Sequence, residues 1–124
     1  MIFGIGNDII ELERLKQSLD KGEAFLKLVY APNEIAYCEK QANKVAAYAA
    51  RFAAKEAFLK ALGTGWIGEM QLHDIEVTKD ELGKPNLLLK NEVMVAVDER
   101  EIKNVHLSIS HTKHFANAVV ILEK

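Results

Sequence analysis

The chain has 124 residues, 49% hydrophobic and 27% charged, a balance that suits one modest globular core and excludes a disordered or collagen-like chain. Its 16 basic and 18 acidic residues leave a formal charge of -2, so no broad attraction for nucleic acid follows. The single cysteine, Cys38, excludes an intramolecular disulfide framework and a thiolate metal cluster.

Residues 1–10 read as a strand. On it Gly4, Gly6 and Asp8 share one face, and Phe3, Ile5 and Ile9 share the other. Two glycines inside a strand point to a bend or a close backbone approach. Residues 11–20 fit a short helix, with Leu12, Leu15 and Leu19 on its buried stripe and Arg14 and Lys16 facing outward. A second short helix covers residues 23–29, and Pro32 opens a third over residues 33–41. Residues 43–62 form the clearest element, a long alanine-rich helix. Ala46, Ala50, Ala53, Ala57 and Ala61 make a stripe small enough for close packing. Phe52, Glu56 and Lys60 lie one turn apart on another face. Gly63 supplies the C-cap, reinforced by Gly65.

Residues 72–78 alternate as a strand, residues 80–85 turn at Gly83, and residues 86–89 return. Residues 91–100 are helical, with Val93, Val97 and Met94 on the buried side. Residues 102–109 and 115–122 are two more strands, joined as a hairpin by residues 110–114. Val105, Leu107 and Ile109 point one way; His106, Ser108 and Ser110 point the other. This order predicts an α+β fold, with a mostly antiparallel sheet packed against a long central helix. There is no linker or repeat, so residues 1–124 are expected to form a single domain. The most apolar region, residues 45–62, carries Arg51, Lys55, Glu56 and Lys60, and the N-terminus lacks a basic leader, so a cytoplasmic protein without a signal peptide is expected.

Several residues have chemical potential. Asp8 follows glycines on an apolar strand, and Glu56 sits in an alanine-rich helix. A carboxylate among apolar groups needs a partner, and a hard cation is one solution. The plainer alternative has Asp8 capping the next helix and Glu56 pairing with Lys60. Arg51, Lys55 and Lys60 suit phosphate, with an ordinary solvated face as the plainer alternative. Gly63-Thr64-Gly65 completes no phosphate-cradling motif, and Gly4-x-Gly6 lacks the third glycine of a dinucleotide fingerprint. His111 follows Ser108 and Ser110 at a strand end, where it suits proton transfer or phosphate binding. No nucleophile elbow accompanies the serines, and the four histidines lack the His-Glu-x-x-His zinc pattern. Cys38 reads as structural and Trp66 as a packing or rim residue.

Three segments together resemble one family. The first is Gly4-Ile5-Gly6-Asn7-Asp8-Ile9, with Arg14 beyond it. The second runs from Arg51-Phe52-Ala53-Ala54-Lys55-Glu56-Ala57 through Phe58-Leu59-Lys60-Ala61-Leu62-Gly63-Thr64-Gly65. The third is Ser108-Ile109-Ser110-His111-Thr112, followed by Ala116 and Ala118. In this order, in a chain of this length, they resemble the holo-acyl-carrier-protein synthases, the small bacterial type of 4'-phosphopantetheinyl transferase. The resemblance implies that fold and a place in fatty-acid and lipid metabolism. It implies transfer of the phosphopantetheine arm of coenzyme A to a serine of apo acyl carrier protein, with 3',5'-ADP as the second product. By the same resemblance Asp8 and Glu56 would ligate Mg²⁺, and Lys60 would sit near the transferred phosphoryl group. Arg51, Lys60, Gly63 and His111 would meet coenzyme A, and Arg14 the acidic carrier. A homotrimer with its sites between subunits is also implied. A metal-dependent phosphate-ester hydrolase and a coenzyme A or carrier-binding module without chemistry are the competing expectations.

Overall fold

The computed structural model describes residues 1–124. Strand β1 (Ile2–Glu11) pairs antiparallel with β5 (Phe115–Glu123), which pairs antiparallel with β4 (Asn104–His111), giving a three-stranded sheet in the order β1-β5-β4. The pleat sorts these strands into two faces. Gly4, Gly6, Asp8 and Ile10 register with Leu122, Val120, Ala118 and Ala116, which register in turn with Val105, Leu107, Ile109 and His111. That is the inner face. Helix α4 (Lys44–Leu62) packs across it, N-capped by the Asn43 side chain, which accepts a hydrogen bond from the Ala46 amide.

The alanine stripe and the strand glycines explain each other. A Cβ at Gly6 would stand 1.9 Å from the Ala57 carbonyl oxygen, and one at Gly4 would stand 2.0 Å from that of Ala61. Backbone touches backbone there, so the glycines serve close approach rather than a bend. Ile5 and Ile9 lie on the outer face, 66% and 64% exposed. Phe3 departs from its expected place beside them: a register shift between Ile2 and Gly4 sets it apart, and it packs against the core.

Helices α1 (Leu12–Leu19), α2 (Glu23–Val29) and α3 (Pro32–Glu39) follow β1 and close one side of the core. Leu12 and Leu15 are buried as the stripe requires, while Arg14 and Lys16 are exposed. Strands β2 (Ile75–Lys79) and β3 (Pro85–Leu89) form a separate hairpin, followed by α5 (Asn91–Glu99).

The structure corrects four further details. Leu72–Asp74 is a 3-10 turn rather than the start of a strand. Its carbonyls are already engaged, Leu72 by the Lys55 ammonium at 3.0 Å and Asp74 by the Lys90 amide at 3.0 Å. Met94 is 41% exposed and Ala96 takes the buried position, because Met94 lies about 100° around the helix from Val93. Residue Ile102 closes the end of α5 by donating to the Val97 carbonyl, so β4 begins later and continues to His111.

The fourth concerns Lys55. It is neither on a phosphate-facing surface nor on a solvated one, but fully buried with Glu34. Its ammonium lies 2.7 Å from Glu34 Oε1 and also donates to the carbonyls of Leu72 and Ile75, the latter at 2.6 Å. The Glu34 carboxylate accepts from the amides of Ala31 and Val77, at 2.9 and 3.0 Å. This network satisfies both charges and ties α3, α4 and β2 together. Periodicity missed it because a buried pair supplies no apolar signal in either helix.

Candidate active site

The contact between β1 and α4 positions the first cluster. Gly4 meets Ala61 and Gly6 meets Ala57, so strand and helix run in opposite directions. A two-residue strand step of about 6.6 Å nearly matches one helical turn of about 5.4 Å. The next inner-face residue, Asp8, therefore carries the first side chain on that face at the end of the glycine contact. Lys60 Nζ lies 3.1 Å from Asp8 Oδ1 and 3.0 Å from the Asn7 carbonyl oxygen. Glu56 is half-buried beside them. Burial raises its carboxyl above the ordinary value, the Asp8 charge raises it further, and Lys60 offsets part of the rise.

The simpler pairings are not the ones formed. Glu11, not Asp8, stands at the N-cap of α1, with no side-chain cap, and Lys60 bonds Asp8 rather than Glu56. Asp8 and Glu56 line a cleft of about 380 Å³ together with Arg14, Ser18, Phe52 and Phe115. No third histidine, cysteine or acidic residue completes a metal cluster with them. Two carboxylates with room for phosphate oxygens and water form a donor set that fits Mg²⁺, a hard cation that usually takes few protein ligands. Their mutual repulsion, visible at Glu56, is what a dication would relieve.

Arg51 and His111 line a different cleft, of about 430 Å³, with Tyr37 and Lys79. Arg51 and Glu56 are five residues apart on α4, a rotation of about 140° that turns them to different faces. Arg51 is only 4% exposed. Its guanidinium lies 4.1 Å from the centre of the Tyr37 ring, Nη1 donates to the Ala47 carbonyl at 3.3 Å, and Nε is buried without a partner. Lys79 Nζ donates to the Tyr37 hydroxyl oxygen at 2.8 Å. That bond is the main reason the Tyr37 phenol titrates below its ordinary value. Sequence reasoning missed Tyr37 and Lys79, since neither has a spacing relation to Arg51 and only the fold gathers them.

Gly63 caps α4 at φ 82°, where its amide donates to the carbonyls of Leu59 and Lys60, and it lines neither cleft. Arg14 is exposed at the rim of the carboxylate cleft. Cys38 is buried, as expected of a structural thiol, and its burial raises its pKa to about 11.

A sequence model of the 4'-phosphopantetheinyl transferase superfamily matches residues 4–119. The holo-[acyl-carrier-protein] synthase of Solibacter usitatus is 47% identical over 124 residues, covering 99% of this chain and 99% of the relative. Among solved structures, the holo-[acyl-carrier-protein] synthase of Neisseria meningitidis superimposes with a TM-score of 0.93 at 38% identity, covering 100% of both chains. The Bacillus anthracis holo-(acyl-carrier-protein) synthase, solved in complex with CoA (3',5'-ADP), matches with a TM-score of 0.81 at 44% identity, covering 98% of this chain and 96% of that one. The chain belongs to the 4'-phosphopantetheinyl transferase superfamily, within its bacterial-type holo-[acyl-carrier-protein] synthases.

Proposed function

We propose that Asp8, Glu56 and Lys60 form the reaction centre of this enzyme. The chain transfers 4'-phosphopantetheine from coenzyme A to a serine of apo acyl carrier protein, giving holo acyl carrier protein and 3',5'-ADP. This is a step of fatty-acid and lipid metabolism. The observation that carries the assignment is the carboxylate pair, with Glu56 raised by burial and then by Asp8, and Lys60 bonded to Asp8.

In that reaction the serine oxygen gives up its proton and bonds to the phosphorus carrying the pantetheine arm, and the phosphoanhydride bond to 3',5'-ADP breaks. Asp8 and Glu56 would hold Mg²⁺ together with the pyrophosphate of coenzyme A. When bound, the ion supplies charge compensation on the phosphate oxygens. Lys60, more than half exposed, is free to turn its ammonium from Asp8 toward the transferred phosphoryl group, where negative charge needs fixed compensation. The attacking hydroxyl belongs to the carrier, which accounts for a site built without a nucleophile of its own. Arg51, Gly63 and His111 would position coenzyme A, and Arg14 would meet acidic residues of the carrier.

The active assembly is a homotrimer in this reading, with each coenzyme A between two subunits. Two features support it. The outer sheet face exposes Ile5, Ile9 and Phe115, an apolar surface that a second copy would cover. The cleft of Arg51 and His111 also shares no lining residue with the carboxylate cleft, so a subunit boundary is a natural place to join them. Residues 1–124 act as one domain, with a core that extends from Leu12 to Leu122. No helix is long and apolar enough to cross a membrane. We assign the reaction to the cytoplasm, where an unpaired cysteine stays reduced.

The test is to incubate the protein with apo acyl carrier protein, coenzyme A and Mg²⁺ and to weigh the intact carrier. The expected result is a gain of one phosphopantetheine arm, abolished by EDTA. Coenzyme A cleavage that needs no carrier would replace this reading with a hydrolase. Saturable coenzyme A binding with no gain on any carrier would leave a binding module.

A further inference from the structure

We infer that Tyr37 is a positioning residue for coenzyme A: its ring braces the Arg51 guanidinium and its hydroxyl anchors the Lys79 ammonium, so that both cations face a phosphate of the ligand. The inference rests on the transferase reading and adds a residue to it.

The argument begins with an uncompensated charge. Arg51 is buried and permanently cationic, yet it forms no salt bridge, and its Nε has no hydrogen-bond acceptor. A buried guanidinium in that condition is costly unless an anion completes it. The cleft it lines holds Arg51, Lys79 and His111 but no aspartate or glutamate. An anion with several acceptor oxygens fits there, and phosphate matches a guanidinium fork.

Tyr37 links the two fixed cations. The Arg51 guanidinium lies 4.1 Å from its ring centre, and Lys79 Nζ lies 2.8 Å from its hydroxyl oxygen and 5.0 Å from its ring centre. Lys79 is otherwise an exposed, flexible side chain, so a fixed hydrogen bond removes rotamer freedom before the ligand arrives. The frame beneath is rigid. Tyr37 lies one turn after Glu34 on α3, and Arg51 lies one turn before Lys55 on α4. The buried Glu34–Lys55 pair, 2.7 Å apart, is therefore the rung next to Tyr37–Arg51. The lowered phenol pKa agrees with a charged Lys79 held against it.

The test measures binding of 3',5'-ADP and of ADP by calorimetry, with Mg²⁺, to the wild type and to Tyr37→Leu, Tyr37→Phe and Lys79→Met. Tyr37→Leu removes ring and hydroxyl and is expected to weaken binding about tenfold. Tyr37→Phe keeps the ring and should lose about three- to fivefold, as should Lys79→Met. Combining these last two should cost no more than Lys79→Met alone, because the Tyr37 hydroxyl acts only through the Lys79 ammonium. The KM for coenzyme A should rise in parallel, with kcat and the carrier KM unchanged. A loss confined to 3',5'-ADP assigns the brace to the 3'-phosphate; a loss on both nucleotides assigns it to the 5' side; either supports the proposal. Wild-type affinity for both nucleotides in Tyr37→Leu would overturn it, as would a fall in thermal stability with no change in binding. A wild-type protein that binds neither nucleotide and transfers nothing would instead overturn the transferase reading itself.

Discussion

At Glu56, burial and the neighbouring Asp8 charge both act against the ionised carboxylate, and Lys60 offsets only part of their effect. A carboxyl held above its unfolded value costs the fold nothing at low pH, where it is protonated in both states. The cost develops as pH rises from the unfolded pKa to the folded one and is complete above it. Glu56→Gln should therefore raise the Tm by about 1–3 °C at pH 8 in EDTA, with no rise below the ordinary carboxylate range. The same change should reduce phosphopantetheine transfer by at least about 100-fold. Added Mg²⁺ should raise the Tm of the wild type but not of the variant. Thermal melts with and without metal check the two stability arms and a transfer assay checks the third; near-normal transfer at limiting Mg²⁺ would remove Glu56 from the site. At Arg14 the expectation is kinetic. Arg14→Ala should raise the carrier KM about five- to tenfold, more at low salt, and leave the coenzyme A KM alone. Steady-state kinetics at two ionic strengths separate this from a coenzyme A contact, which would move the other KM.

Helix α4 is where most elements meet, and its two kinds of contact fail in different ways. Against β1 it makes a backbone contact that leaves no room for a side chain. A methyl group at Gly6 would meet the Ala57 carbonyl oxygen at 1.9 Å and the Ala61 amide nitrogen at 2.6 Å, neither of which can rotate away. Gly6→Ala should cost about 2–3 kcal/mol in urea denaturation. It should also increase the Mg²⁺ concentration needed for half-maximal rate, because Asp8 moves with β1. Against α3 and β2 the helix uses charge. Lys55→Met leaves the Glu34 carboxylate buried without its cation, at a cost of about 3–5 kcal/mol. Removing both partners should cost less than the sum of the single changes. An additive double-variant cycle would show that the pair is not coupled.

The whole molecule presents an unusual surface. Its three-stranded sheet is covered by α4 on one face, while the other exposes Ile5 and Ile9 beside the partly buried Val119 and Ile121. His106 and Glu123 are hydrogen-bonded on that outer face, with Asn117 donating to Asn7 at 2.6 Å. An apolar patch rimmed by polar pairs suits association. On the proposed trimer reading, Ile5→Asp should give a monomer in sedimentation, keep the circular dichroism of the fold, and lose most transfer activity. A fully active monomer would show that each chain works alone.

The sequence determined much by itself. Alanine spacing in residues 43–62 and the alternation of the last strands were enough for the α+β class and the sheet faces. The three signature segments were enough for the family, because they encode chemistry in residue identity. Asp8, Glu56 and Lys60 were nominated as site residues for that reason. Only the tertiary structure decided which charges met. Lys60 chose Asp8 over the helical neighbour Glu56, and Lys55 turned inward to Glu34. Tyr37 and Lys79 joined Arg51 from three separate elements. Periodicity reports which face of an element is apolar, but a polar partner from a distant segment leaves no period behind. Burial and distance, which exist only once the chain has packed, select the pairs.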